Sequence, residues 1–249
     1  MLLENTLTVD LRESTYTAFD NVSEGYYEYD ENWGADVDFI RDAFSERYPR
    51  HLSIIDLGCA TGWHLISLSF LVKNVSQLLG VDYSDSMMKS ASRFVSRNRL
   101  KDLIQFKKCD IESVSSALKS QKFDIAICLN NTLGNLIEYN IPREEYRLSI
   151  LKNIKTILSD KAQFIISVYN IDKFDPNSYS RYLNISQEKS DFNAGDIVIY
   201  HTYPDDVNHY CYSHWFSVAE ITTLLETAGF VVKDLELRKK RILIRAGVE

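Results

Sequence analysis

The residues of this chain best placed to do chemistry are three aspartates and a glycine turn. Asp56-Leu57-Gly58-Cys59-Ala60-Thr61-Gly62 closes a short apolar run that begins at Leu52 and reads as a strand. Glycine in such a turn lets the backbone approach a ligand with no Cβ in the way. Asp82 ends a second apolar run, where a carboxylate can accept hydrogen bonds from two ribose hydroxyls. Asp110 closes a third, where it can take the exocyclic amino group of adenine. Any one of these aspartates is equally well explained as a helix cap or turn residue. All three in register with the glycine turn suit an adenosine bearing a cationic tail better than a pyrophosphate. The turn is not a P-loop, since Gly-Lys-Ser/Thr is absent, and not a full GxGxxG.

These groups need elements that bring strand ends together, and the pattern supplies them. Apolar runs at Leu52–Asp56, Leu78–Asp82, Ile104–Asp110, Phe123–Leu129 and Gln163–Val168 alternate with helical spacings. One helix is expected from His64 to about Val72. Another follows the Ser84-Asp85-Ser86 start, with Met87, Met88, Ala91 and Phe94 on one face. A third runs from Glu144 to Leu158, with Leu148, Leu151, Ile154 and Leu158 aligned. Strands alternating with helices imply a parallel sheet covered on both faces, with ligands outside the strands' carboxyl ends. From Asp172 to Ser213 the regularity breaks into alternating stretches such as Gly195–Tyr200, read as a strand-rich insertion. Ser217 and Glu220 form a capping box opening a helix that Gly229 stops. Val231–Leu237 and Ile242–Arg245 then read as an antiparallel hairpin. The basic run Arg238-Lys239-Lys240-Arg241 between them reads as its solvated turn.

Bulk composition narrows the classes. The chain has 249 residues, 45% apolar and 25% charged, which supports a packed core and excludes disordered, collagen-like and coiled-coil proteins. At ~150 residues per domain, one large domain with an insertion and two small domains both fit. The reading adopted is a single domain over 1–249, with residues 1–49 as a helical lid and 172–213 as an inserted substrate cover. A formal charge of −7 speaks against a nucleic-acid scaffold. No apolar run approaches the ~18 residues of a membrane helix. Acids replace the basic start of a secretory signal, so a cytoplasmic address is expected. Cys59, Cys109, Cys128 and Cys211 are scattered without CxxC and read as reduced thiols. His201, His209, Cys211 and His214 lie close together without zinc-finger spacing, so no metal is expected. Fifteen tyrosines are unusual, and most fall in residues 16–29 and 169–212, outside the regular strand–helix body.

Over residues 50–170 and again from 215 onward, the chain resembles the class I S-adenosylmethionine-dependent methyltransferases. Ile54-Ile55-Asp56-Leu57-Gly58-Cys59-Ala60-Thr61-Gly62 is similar to their first motif, with Ala60 where glycine is usual. The resemblance implies a Rossmann-like seven-stranded α/β sheet of order 3-2-1-4-5-7-6, its last strand antiparallel. It implies S-adenosyl-L-methionine as cofactor. Gly58 and its neighbours would hold the methionine amino and carboxylate groups, Asp82 the ribose, and Met87, Asp110 and Ile111 the adenine. Asp56, Ala60, Gly62, Tyr83 and Asn130 complete the implied set. His64, at a helix N-terminus, is a candidate for the cofactor carboxylate, and Tyr16 and Trp33 for a lid over the cofactor.

The Asn130-Asn131-Thr132-Leu133-Gly134-Asn135 stretch lacks the Asn/Asp-Pro-Pro-Tyr/Phe motif of nucleobase methyltransferases. It is more similar to small-molecule amine N-methyltransferases, including those acting on amino sugars. Asn135 is therefore the candidate for orienting an acceptor amine, Tyr27 for the acceptor site and His214 for accepting a proton. The expected function is methyl transfer to an amine nitrogen of a small molecule or peptide terminus. An O-methyltransferase and a non-catalytic cofactor-binding subunit are the alternatives, and a nicotinamide oxidoreductase is the outside option. Neither nucleic acid nor membrane is an expected partner, and the chain is expected to be a monomer or homodimer.

Overall fold

The computed structural model describes residues 9–21, 33–44, 51–72, 74–178, 182–183, 192–202 and 208–248. The main sheet contains β1 (Leu52–Leu57), β2 (Val75–Asp82), β3 (Ile104–Lys108), β4 (Phe123–Cys128), β5 (Leu158–Tyr169), β9 (Val231–Arg238) and β10 (Arg241–Gly247). Its order is β3-β2-β1-β4-β5-β10-β9. Pairings from β3 through β5 are parallel, and β10 runs antiparallel to both β5 and β9. This is the expected topology, with the three strands of the insertion numbered between β5 and β9.

The near-continuous apolar runs of β1, β4 and β5 are central because they are covered on both faces. On one face Leu57, Val81 and Phe164 pack under Ile150, Leu151 and Ile154 of α6 (Arg143–Thr156). On the other, Ile54, Ile125 and Ile127 pack under Leu65 and Leu68 of α3 (Trp63–Leu71). Local signals set the helix ends. The Ser84 side chain accepts from the Met87 amide at the start of α4 (Asp85–Arg97). The Ser217–Glu220 capping box opens α7 (Val218–Thr227), and Gly229 follows it at φ +85°.

Two sequence expectations are corrected. Leu158 is not on the α6 face but opens β5, opposite Phe123. The Phe123 amide donates to the Ile157 carbonyl at 2.9 Å, so the sheet captures the chain just after the helix ends at Thr156, earlier than helical spacing suggests. The 238–241 segment does form the hairpin turn, but Arg241 points inward and is only 3% exposed.

The insertion forms a second sheet of β6 (Tyr182–Leu183), β7 (Asp196–Thr202) and β8 (Asn208–His214), in that order. β8 is an edge strand, and an uncovered edge presents unpaired amides. Helix α1 (Leu11–Asn21) covers it: the Ser14 and Thr15 hydroxyls accept from the Tyr210 and Tyr212 amides, each at 2.9 Å. The two tyrosine-rich regions thus touch, α1 lying between the insertion and the main sheet. Helix α2 (Trp33–Phe44) packs against α3 and β10. No helix among the described residues is long and apolar enough to cross a membrane.

Candidate active site

At the carboxyl ends of β1, β2 and β4 lies a solvent-open cleft with about 660 Å³ of empty space, open solvent included. Asp82 lies on its wall. Its Oδ2 accepts from the Ala60 amide at 2.8 Å and its Oδ1 from the Ser84 amide at 3.0 Å. Each oxygen keeps lone-pair capacity for a further donor, as a pair of ribose hydroxyls requires. Burial raises the Asp82 carboxyl above its ordinary range, against the opposing effect of those amides. Asp110 is also on the wall, accepting from the Glu112 amide at 3.3 Å, with the Tyr16 hydroxyl 3.4 Å from its Oδ2. Burial and then the neighbouring Glu112 raise the Asp110 carboxyl.

Helix α1 closes the cleft from above. The Tyr16 ring stacks on Tyr83 with centroids 4.0 Å apart, and the Tyr83 hydroxyl donates to the Tyr16 carbonyl at 3.0 Å. Burial, followed by the Asp110 charge, pushes the Tyr16 phenol up to about 12, so it is neutral at physiological pH. Met87 and Ile111 supply apolar lining at the same end. Two further contacts tie α1 down. Arg12 binds both Glu112 and Glu138, the latter at 2.7 Å, and Asp20 accepts from the Ser84 and Ser86 hydroxyls.

The glycine turn shows why its residue types matter. Gly58 has φ +75°, and a Cβ there would sit 2.5 Å from Thr132 Cγ2. Ala60 occupies the left-handed region at φ +46°, where glycine would be less strained. Gly62 is not on the cleft wall. It caps α3 at φ +75°, and its missing Cβ makes room for the Phe106 ring. Asp56 is likewise off the wall, buried one layer below, and burial followed by Asp82 raises its carboxyl well above the ordinary range.

His64 lines a smaller extension of about 310 Å³ beyond Gly58, Ala60, Asn130 and Thr132, next to the start of α3. Asn135 lies on the main wall, its Oδ1 3.3 Å from Asn131 Nδ2. Trp33 begins α2, where only its backbone is described, and Tyr27 lies outside the described residues.

His214 is not brought to the cleft, which corrects its expected role. It is fully buried, with Nδ1 2.6 Å from Asp196 and Nε2 2.7 Å from Glu220. Strand alternation does put it on the face shared with Tyr212, whose hydroxyl donates to Asp196 at 2.6 Å. That face, however, meets the buried arginines of α6. Arg147 donates to the Tyr212 hydroxyl at 2.5 Å.

Sequence reasoning missed Thr15, Phe19, Thr132 and Leu136, all on the wall. Phe19 was legible as the i+3 neighbour of Tyr16 on α1, and Thr15 as the residue four before Phe19. Thr132 carried no local signal, since its role is to fill the space beside Gly58.

A family model described as a methyltransferase domain matches residues 49–229. The chain belongs to that family. The chain is 29% identical over 133 residues to the O-antigen chain terminator bifunctional methyltransferase/kinase WbdD of Escherichia coli, a match covering 51% of the chain and 18% of that relative. It thus spans under a fifth of the relative's length. Among solved structures it is similar to the CcbJ methyltransferase of Streptomyces caelestis (TM-score 0.72, 13% identity, 94% and 98% of the two chains covered). It is also similar to an S-adenosylmethionine-dependent methyltransferase from Clostridium acetobutylicum (TM-score 0.66, 16% identity, 94% and 98% covered). S-adenosylmethionine is its cofactor, and the wall fits that group: carboxylates for ribose and adenine, a Cβ-free turn at Gly58, and an aromatic lid.

Proposed function

We propose that this methyltransferase acts on an amine nitrogen of a small molecule or peptide terminus. The observation that carries this is the chemistry of the wall after β4. Asn130, Thr132 and Asn135 are neutral there, and the phenols and thiol nearby are held protonated by burial. A neutral amine is already a nucleophile and needs only alignment, whereas a hydroxyl needs a base to take its proton. When bound, the cofactor supplies an electrophilic methyl group on a sulfonium sulfur. The chain's task is then to orient, desolvate and exclude water. Asn135 Oδ1 faces Asn131 with one lone pair, and its second would accept from the acceptor's N–H, aiming the nitrogen. Tyr16, Phe19 and Thr15 cover the site from α1.

Within a single domain, the lid assigned to residues 1–49 would act through α1 and the substrate cover assigned to 172–213 through β6, β7 and β8, their described parts. Asp82, Met87, Asp110, Ile111 and Tyr83 would hold the adenosine, with Gly58, Ala60, His64 and Asn130 around the amino-acid tail. Incubating the protein with S-adenosylmethionine and matched panels of amines and alcohols, followed by mass spectrometry, tests the reading. Amine products heavier by the mass of a CH2 unit for each methyl transferred, a CH3 group taking the place of a hydrogen, are expected; products from alcohols alone would overturn it.

A further inference from the structure

The inward-facing residue of the basic turn points to a role beyond the hairpin. Arg241 opens β10 almost fully buried, and Asp36 of α2 is fully buried beside it. Withdrawing both charges from water is costly, and an apolar pair would staple α2 to β10 without that cost. The charged pair does something an apolar one would not. Arg241 Nη1 donates to Asp36 Oδ2 and also, at 2.6 Å, to Asn130 Oδ1. Asn130 sits in the left-handed region at φ +53°, and its amide donates to the Ser167 hydroxyl at 2.8 Å, so its backbone is fixed as well.

Asn130 lies on the wall shared by the cleft and its extension. Guanidinium only donates, so the amide oxygen is the atom that must face it, and the NH2 group is left as the free donor. The extension also contains the start of α3, where backbone N–H groups favour an anion. We propose that Asp36 and Arg241 are positioning residues: they lock the Asn130 amide with its NH2 toward the cofactor's tail and so select a carboxylate there. This rests on the assignment of S-adenosylmethionine to the cleft.

The test compares two ligands by calorimetry. S-adenosylhomocysteine carries the amino-acid tail, and 5′-methylthioadenosine has the same adenosine and sulfur without it. Asn130→Asp leaves an oxygen facing Arg241 but replaces the NH2 donor with a carboxylate oxygen, which also adds a negative charge beside the buried pair. It should weaken S-adenosylhomocysteine roughly ten- to hundred-fold and methylthioadenosine by less than about two-fold. Arg241→Met combined with Asp36→Asn, which leaves no unpaired carboxylate, should show the same selective loss; because Asp36 Oδ2 also lies 3.9 Å from His64 Nε2, the loss must exceed that of Asp36→Asn alone, and an equal loss in the two would overturn the role of Arg241. Unchanged or improved S-adenosylhomocysteine affinity in Asn130→Asp would overturn the proposal, as would equal losses for both ligands, the signature of a merely structural role. A wild-type chain that binds neither ligand would instead overturn the cofactor assignment, and this proposal with it.

Discussion

Gly58→Ala is the perturbation whose cost can be worked most directly from the structure. At φ +75° an L-residue pays about 1–2 kcal/mol for the left-handed conformation. The new Cβ would lie 2.5 Å from Thr132 Cγ2 and 2.9 Å from its Oγ1. Carbon contacts prefer about 3.5–4.0 Å, so the two segments must part by roughly 1 Å. Thr132 cannot simply swing away, because its hydroxyl donates to the Leu129 carbonyl at 2.8 Å. Overpacking of this kind costs about 1–3 kcal/mol. The total, about 2–5 kcal/mol, is a large part of the 5–15 kcal/mol that holds a typical domain folded. Urea denaturation at unchanged slope measures it. Thr132→Ser supplies the control: it removes Cγ2 while keeping the hydroxyl. In that background Gly58→Ala should cost at least about 1 kcal/mol less, the coupling expected of residues in contact. A cost below about 1 kcal/mol in the wild type, or an equal cost in both backgrounds, would refute the contact and strain reasoning together.

The remaining predictions concern neighbouring positions. Ala60→Gly relieves the φ +46° strain and should stabilise the protein by about 0.5–1 kcal/mol, a melting temperature gain of roughly 1–4 °C by calorimetry. Burial and Asp82 raise the Asp56 carboxyl, so the folded chain keeps that proton to higher pH than the unfolded chain. Its contribution to stability is therefore lost as pH rises above the ordinary carboxylate value of about 4. The stability of Asp56→Asn relative to wild type should accordingly increase between pH 5 and pH 8, and a pH-independent difference in urea midpoint would count against the assignment. Asn135→Ala should lower turnover about ten-fold or more while changing the cofactor dissociation constant less than about two-fold, read by steady-state kinetics and calorimetry. Equal turnover would return Asn135 to a structural role.

Much of this was legible along the chain. Strand–helix alternation gave the parallel sheet, and the hairpin after Gly229 gave its antiparallel finish, because both depend on local periodicity and capping. Asp82 and Asp110 were found because each closes a strand, and parallel strands bring their carboxyl ends to one side. The tyrosine excess, concentrated in residues 16–29 and 169–212, reads in the sequence as two aromatic flaps over one cofactor site. The structure shows instead that α1 reaches the cleft through Tyr16, while Tyr210 and Tyr212 stand behind it on β8.

Local spacing determined which residues share a strand end or a helix face, since those relations repeat every two or 3.6 residues. It therefore brought Asp82 and Asp110 to neighbouring strand ends, where both line the cleft. What only the tertiary structure decided involves partners far apart in sequence: His214 held between Asp196 and Glu220, Thr132 against Gly58, and Arg241 reaching Asp36 and Asn130. A charged residue in a turn looks solvated until the fold supplies a buried counterion. A histidine looks available as a base until both its nitrogens are occupied. Those outcomes depend on which elements pack together, and no periodicity records them.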